Sequence, residues 1–168
     1  MKILLLIIML VWAPFNLRAQ TDNATENNLV LYGAYNILEN KPMAGMTLGC
    51  DLNHFVFELE MGWSYMSYVS TNHFYYVCPS VGAVWGKRYQ IYILAGISQW
   101  VYMHYSEKDN VYTFYSDAWF PKLKLGNDIY ISKQVFINLE LQYAIPIKSS
   151  GMIPFQNLAF KTGIGFSF

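Results

Sequence analysis

Charge is scarce in this chain. Asp, Glu, Lys and Arg make up 13% of 168 residues, where an ordinary globular domain carries about 25%. Basic and acidic residues number 11 each, so there is no basic stripe of the kind a nucleic-acid partner requires. Cysteine is nearly absent. Cys50 and Cys78 stand alone, outside any C-x-x-C spacing, which excludes a disulfide framework and a cysteine zinc site. The histidines, His54, His73 and His104, are too widely spaced for a recognisable metal motif, and no glycine-rich phosphate cradle occurs. No metal and no cofactor are therefore expected. Also missing, beyond the first twenty residues, is any apolar run near the roughly 20 residues of a membrane-spanning helix.

Hydrophobic residues are abundant at 54%, and aromatics reach 18%. The first nineteen residues read as an export signal: Lys2 is the positive start, Ile3 to Trp12 the apolar stretch, and Leu17-Arg18-Ala19 ends on a small residue. A signal anchor is the alternative, but Pro14 and Asn16 interrupt the segment early. Cleavage after Ala19 removes Lys2 and Arg18 and leaves one domain, Gln20 to Phe168, with two more acids than bases.

That domain alternates. Asn157 to Phe168 reads N-L-A-F-K-T-G-I-G-F-S-F, with Leu158, Phe160, Thr162, Ile164, Phe166 and Phe168 on one face of a strand. Seven similar segments precede it: Asn28–Ile37, Met43–Leu52, Phe55–Met66, Phe74–Gly86, Tyr89–Tyr105, Tyr112–Ser132 and Val135–Ile147. Gln20–Asn27 reads as a loose N-terminus, and Glu39–Pro42 as a turn. Asn53-His54, Lys87-Arg88 and Lys133-Gln134 are tighter turns. Pro79 falls inside the fourth segment, where a ladder donor is lost, and a bulge is expected there. Cys50 and Cys78 lie on segments separated by a third and point to opposite faces, so both are expected as free, buried thiols.

An even count of strands, with tight turns alternating with longer loops, predicts an all-β, eight-stranded antiparallel up-and-down transmembrane β-barrel with periplasmic termini. A soluble barrel or sandwich would also alternate, but its polar face should be long-chained and charged. Here that face is mostly Gly, Ala, Ser, Thr and Asn, a poor solvent surface and a good filling for a narrow lumen. The charges it does carry, Asp51, Glu58, Glu60 and Glu140 with Lys122, Lys124 and Lys161, include both signs, as buried charges require. Lys161 is expected to partner acids such as Glu140. Trp63, Tyr65, Trp85, Trp119, Tyr143 and Phe168 near strand ends suit two interfacial girdles.

The export signal, eight alternating strands and terminal G-x-G-F-x-F run resemble small outer-membrane barrels of the OmpA/OmpX type. The resemblance implies residence in the outer membrane of a Gram-negative bacterium, in contact with its lipid and lipopolysaccharide. It also implies that Phe166 and Phe168 carry the signal read by the barrel assembly machinery. No peptidoglycan-binding domain follows, so an anchoring role does not carry over.

Two further features concern activity. His104-Tyr105-Ser106 places imidazole and hydroxyl on one strand face, with Asp117 on the next strand as a candidate acid. The H-x-S triplet resembles that of lipid A 3-O-deacylases, but Glu107 and Lys108 follow the serine where that family has Asn and a small residue. The hairpin between the fifth and sixth strands is rich in aromatics. Its strands exceed a membrane crossing, and Tyr102, Tyr105, Tyr112, Phe114 and Tyr115 form a candidate surface for an extracellular partner, or a girdle meeting lipopolysaccharide. The leading expectation is a non-enzymatic outer-membrane barrel with a structural or surface-binding role. A lipid-modifying hydrolase using His104 and Ser106 is the alternative, and an open pore ranks third.

Overall fold

The computed structural model describes residues 25–38, 41–66, 72–106, 111–145 and 157–168. Eight strands follow in order: β1 (Thr25–Asn36), β2 (Lys41–Leu52), β3 (Phe55–Met66), β4 (Asn72–Trp85), β5 (Tyr89–Ser106), β6 (Val111–Tyr130), β7 (Val135–Ala144) and β8 (Asn157–Ser167). Each pairs antiparallel with its neighbour in sequence, and β8 returns to β1, closing a barrel. The seam runs from Asn28 opposite Ser167 to Asn36 opposite Ala159. Phe168 extends it, donating its N–H to the Asn27 carbonyl at 2.9 Å and accepting from the Asn27 N–H at 3.2 Å. Over the height that all eight strands share, closure leaves no unpaired sheet edge, the condition for a β-structure to sit in lipid.

Local chemistry supports the tight connections. Asn53 takes φ 57°, a left-handed conformation that asparagine tolerates. Gly86 takes φ 107°, where a Cβ would also run into the Tyr89 carbonyl. Ser132 Oγ accepts the N–H groups of Gln134 and Val135 at 3.3 and 3.1 Å, shaping the turn between β6 and β7. These turns, the start of β1 and Phe168 share one end of the barrel, here called the turn end.

The two faces separate as the alternation requires. Ile93 and Leu125 face outward at 51% and 54% exposure, as do Ile91, Leu123, Ile164 and Phe166. A continuous apolar exterior of this kind is foreign to soluble monomers, which rarely expose patches above a few hundred Å². The inward row is buried whatever its polarity, Glu60, Lys122 and Lys161 included.

Three expectations change. β1 begins at Thr25, so part of the polar N-terminal stretch is strand, with Asn27 opposite Cys50. Lys41 and Pro42, expected in the turn, belong to β2, Pro42 pairing with Tyr35. Pro79 produces no bulge. It pairs with Leu59 on β3, and on its other side the β4–β5 ladder skips from Val77–Gln99 to Ser80–Gly96 in unchanged register. A missing N–H removes a rung without needing an extra residue. The register shift lies elsewhere: Gln99 pairs with Trp119 and Trp100 with Asp117, leaving Ala118 over in β6. Neither cysteine is in a disulfide, and both are buried.

Inside, large rings are seated against glycines. Tyr32 lies opposite Gly45, Tyr76 opposite Gly62, Tyr92 opposite Gly126 and Phe136 opposite Gly165. At each of these glycines a Cβ would run into the partner's ring. Glycine on one strand thus makes the room in which an aromatic from the next can lie across the lumen. Gly62→Ala is expected to displace the Tyr76 ring and lower the unfolding free energy in detergent by about 1–3 kcal/mol, the usual cost of overpacking. Gly33→Ala is the control: no atom lies within 4 Å of the Cβ it would add, and its effect should stay within about 0.5 kcal/mol in the same urea titration.

Candidate functional site

The polar concentration of this barrel is in its lumen. β3 brings Glu58 and Glu60 inward, β6 Lys122 and Lys124, β7 Glu140 and β8 Lys161. Lys124 Nζ donates to Glu60 at 2.7 Å and to Glu58 at 3.1 Å, and Lys122 Nζ donates to Glu60 at 3.3 Å. Lys161, directly opposite Glu140 in the β7–β8 ladder, reaches it at 2.9 Å and approaches Thr47 Oγ1 at 3.4 Å. Three carboxylates thus face three ammonium groups.

Glu60 is the hub. Besides the two lysines it accepts from the hydroxyls of Tyr32 (2.9 Å) and Tyr76 (2.7 Å) and from Gln142 Nε2 (2.9 Å). Glu140 accepts from Tyr92 Oη at 2.6 Å and also from Gln142 Nε2. Lys122 lies 4.6 Å from the centre of the Tyr76 ring and Lys161 4.8 Å from that of Tyr32, so the rings supply π-faces as well as hydroxyls. A charge withdrawn from water costs several kcal/mol, and only dense pairing of this kind repays it. The network lies across the lumen, with Glu60, Glu140 and all three lysines buried.

Asp51 lies apart from the lysines. It is in the lumen, toward the turn end, and accepts from Asn28 Nδ2 at 3.1 Å. Asp128 is held similarly by Asn138 Nδ2 at 2.6 Å. The members that sequence reasoning did not single out are Tyr32, Tyr76, Tyr92 and Gln142. Their signal was their place on the small-residue face, in step with the glycines.

The other candidate residues fall elsewhere. His104, Ser106 and Asp117 belong to β5 and β6, where their side chains lie outside the described residues. The backbone register sets His104 opposite Thr113 and Asp117 opposite Trp100, four rungs away, roughly 14 Å along a strand at about 3.4 Å per residue. Tyr102 pairs with Tyr115, Tyr105 with Tyr112 and Met103 with Phe114, again with side chains outside the described residues. β5 and β6 run 18 and 20 residues, and among the described residues the β6–β7 ladder begins at Lys122, while β5 pairs with β6 back to Val111. Phe166 and Phe168 point outward at the turn end, as does Trp85, while Trp63, Trp119 and Tyr143 are exposed toward the opposite end. Among the described residues no group of three or more His, Cys, Asp and Glu is arranged to hold a metal ion.

No protein-family model and no curated protein sequence matches the chain. Solved structures do match. The N-terminal β-barrel domain of OprF from Pseudomonas aeruginosa aligns with a TM-score of 0.62 at 12% identity, over 85% of this chain and 97% of that one. The neisserial surface protein NspA gives 0.60 at 12% identity, over 85% and 94%. Ail of Yersinia pestis, in complex with the heparin analogue sucrose octasulfate, gives 0.58 at 13% identity, over 86% and 98%. The fold is therefore that of the small eight-stranded outer-membrane barrels.

Proposed function

We propose that this chain is an integral outer-membrane β-barrel of a Gram-negative bacterium, without enzymatic activity or an open pore, serving as a structural element or as a platform for surface binding. One observation carries the reading: the barrel is inside out relative to a soluble one, with an apolar exterior and a paired, charged interior. The turn end, where both strand termini lie, would face the periplasm, as in up-and-down barrels generally. The apolar belt would meet lipid and lipopolysaccharide, Phe166 and Phe168 would serve the assembly machinery, and Met1 to Ala19 would direct export. The long β5–β6 hairpin would stand beyond the outer leaflet and offer its aromatic edge to an extracellular partner. Ail, of the same fold, is known with a heparin analogue bound, so ligand binding is compatible with so small a barrel.

The test is heat modifiability. In membrane fractions the unboiled protein should migrate on a detergent gel apart from the boiled form and resist extraction by alkali. A chain that washes off the membrane and shows a single band would end the proposal. Planar-bilayer recordings should give no steady conductance, since the Glu60 hub occupies the lumen.

A further inference from the structure

The central ion pairs balance, but the turn-side half of the lumen does not. Asp51 on β2 and Asp128 on β6 enter it from walls four strands apart, and both are buried. Neither has a Lys or Arg at ion-pair distance among the described residues. Each is bound by an asparagine NH₂ group, Asn28 for Asp51 and Asn138 for Asp128. Each amide turns its NH₂ group to the carboxylate, the orientation an ionised carboxylate requires because it only accepts. Asn28 Oδ1 and Asn138 Oδ1 are left as buried acceptors with no hydrogen-bond donor among the described residues, and Gln90 Oε1 is a third. Asn138 is 2% exposed and Asn28 8%. All five residues line one cavity of about 20 Å³, ringed by all eight strands.

We propose that this cavity binds one hard, oxygen-seeking cation, with the Asp51 and Asp128 carboxylates and the amide oxygens of Asn28, Asn138 and Gln90 as its ligands. Buried oxygen acceptors without donors cost free energy unless something positive or protic lies among them. The volume suits a single ion or water-sized body. Carboxylates together with side-chain amide oxygens are the ligands Ca²⁺ takes at about 2.3–2.6 Å, and one divalent ion would neutralise both aspartates. Glu58 and Lys161 also line the cavity, but Glu58 is bound to Lys124 and Lys161 to Glu140. At the turn end a vestibule of about 730 Å³ shares Asp51, Val84 and Gln90 with the cavity wall, so an ion reaching the cavity from that side would pass these residues. The ligands come from β1, β2, β5, β6 and β7, so no local sequence spacing could have announced the site.

Chelator-treated, refolded full-length barrel in non-ionic detergent should be titrated calorimetrically with CaCl₂, MgCl₂ and NaCl at constant ionic strength, with urea midpoints measured in parallel. Saturable binding of one Ca²⁺ per barrel, with a raised urea midpoint, is expected. Mg²⁺, which demands stricter octahedral geometry, and Na⁺, with half the charge, should bind more weakly. Asp51→Asn and Asp128→Asn should each weaken Ca²⁺ at least about tenfold, a loss common on altering metal surroundings. Gln90→Leu removes one ligand oxygen without touching the carboxylates, so it keeps the question decidable should either aspartate variant fail to fold. Absence of saturable binding by any of the three cations to the wild type would overturn the site, leaving a water pocket only. Unchanged Ca²⁺ affinity in the folded aspartate variants, or in Gln90→Leu, would overturn it as well.

Discussion

Glu60→Ala is expected to lower the unfolding free energy of the barrel by about 3–5 kcal/mol, the range for breaking a buried ion pair by removing one partner. The substitution takes one carboxylate from a hub that accepts from Lys122, Lys124, Tyr32, Tyr76 and Gln142. Lys124 keeps Glu58 at 3.1 Å, but Lys122 has no second carboxylate at ion-pair distance among the described residues and would be left as an uncompensated buried cation. Two tyrosine hydroxyls would lose an acceptor at the same time. Glu60→Gln keeps the shape but not the charge and should cost less than alanine. The comparison is made by urea unfolding in lipid vesicles, followed by tryptophan fluorescence, for wild type, Glu60→Ala, Lys122→Met and the double variant. Hub pairing requires the double variant to be less destabilised than the sum of the single ones, because the second change removes the stranded charge. Strict additivity would show that the 3.3 Å contact between Lys122 and Glu60 contributes nothing.

The faces of this barrel were legible in the sequence, as was the pairing of Lys161 with Glu140 on the neighbouring strand; the partnerships across the lumen were not. Alternation with period two assigns Leu123 and Leu125 outward and Lys122 and Lys124 inward without knowledge of any other strand. Which acid meets which lysine depends on the stagger of β3 against β6, strands not adjacent in the sheet, and no local pattern encodes that. Asp51 and Glu58 look alike in sequence, yet one meets Asn28 and the other Lys124. Tyrosine is ambiguous by its chemistry: the same side chain serves an interfacial girdle at Tyr143 and the charged hub at Tyr76. Only the strand face tells them apart, together with a glycine directly across the ladder. Pro79 misled for a similar reason, since a proline can be accommodated by a lost rung as well as by a bulge, and the choice is made by both flanking strands together.

Leu125→Arg separates a lipid-facing exterior from a solvent-facing one. Leu125 sits midway between outward-facing Trp119 and Ile131, and its ladder partners are Ile93 on β5 and Leu141 on β7, all exposed and apolar. In a bilayer an arginine on the lipid face at the midplane costs about 2–4 kcal/mol, falling to about 0–1 near the interfaces. Leu125→Arg should therefore destabilise the barrel in vesicles by that larger amount. Ile131→Arg, at the turn end of the same row, should cost little, because its guanidinium can reach the headgroups. Were the exterior in water, both changes would relieve exposed apolar surface and neither would cost more than about 0.5 kcal/mol. The difference between the two positions, measured in one series of urea titrations in vesicles, therefore reads depth directly. Equal costs at Leu125 and Ile131 would remove the membrane from the account of this barrel, however well its strands close.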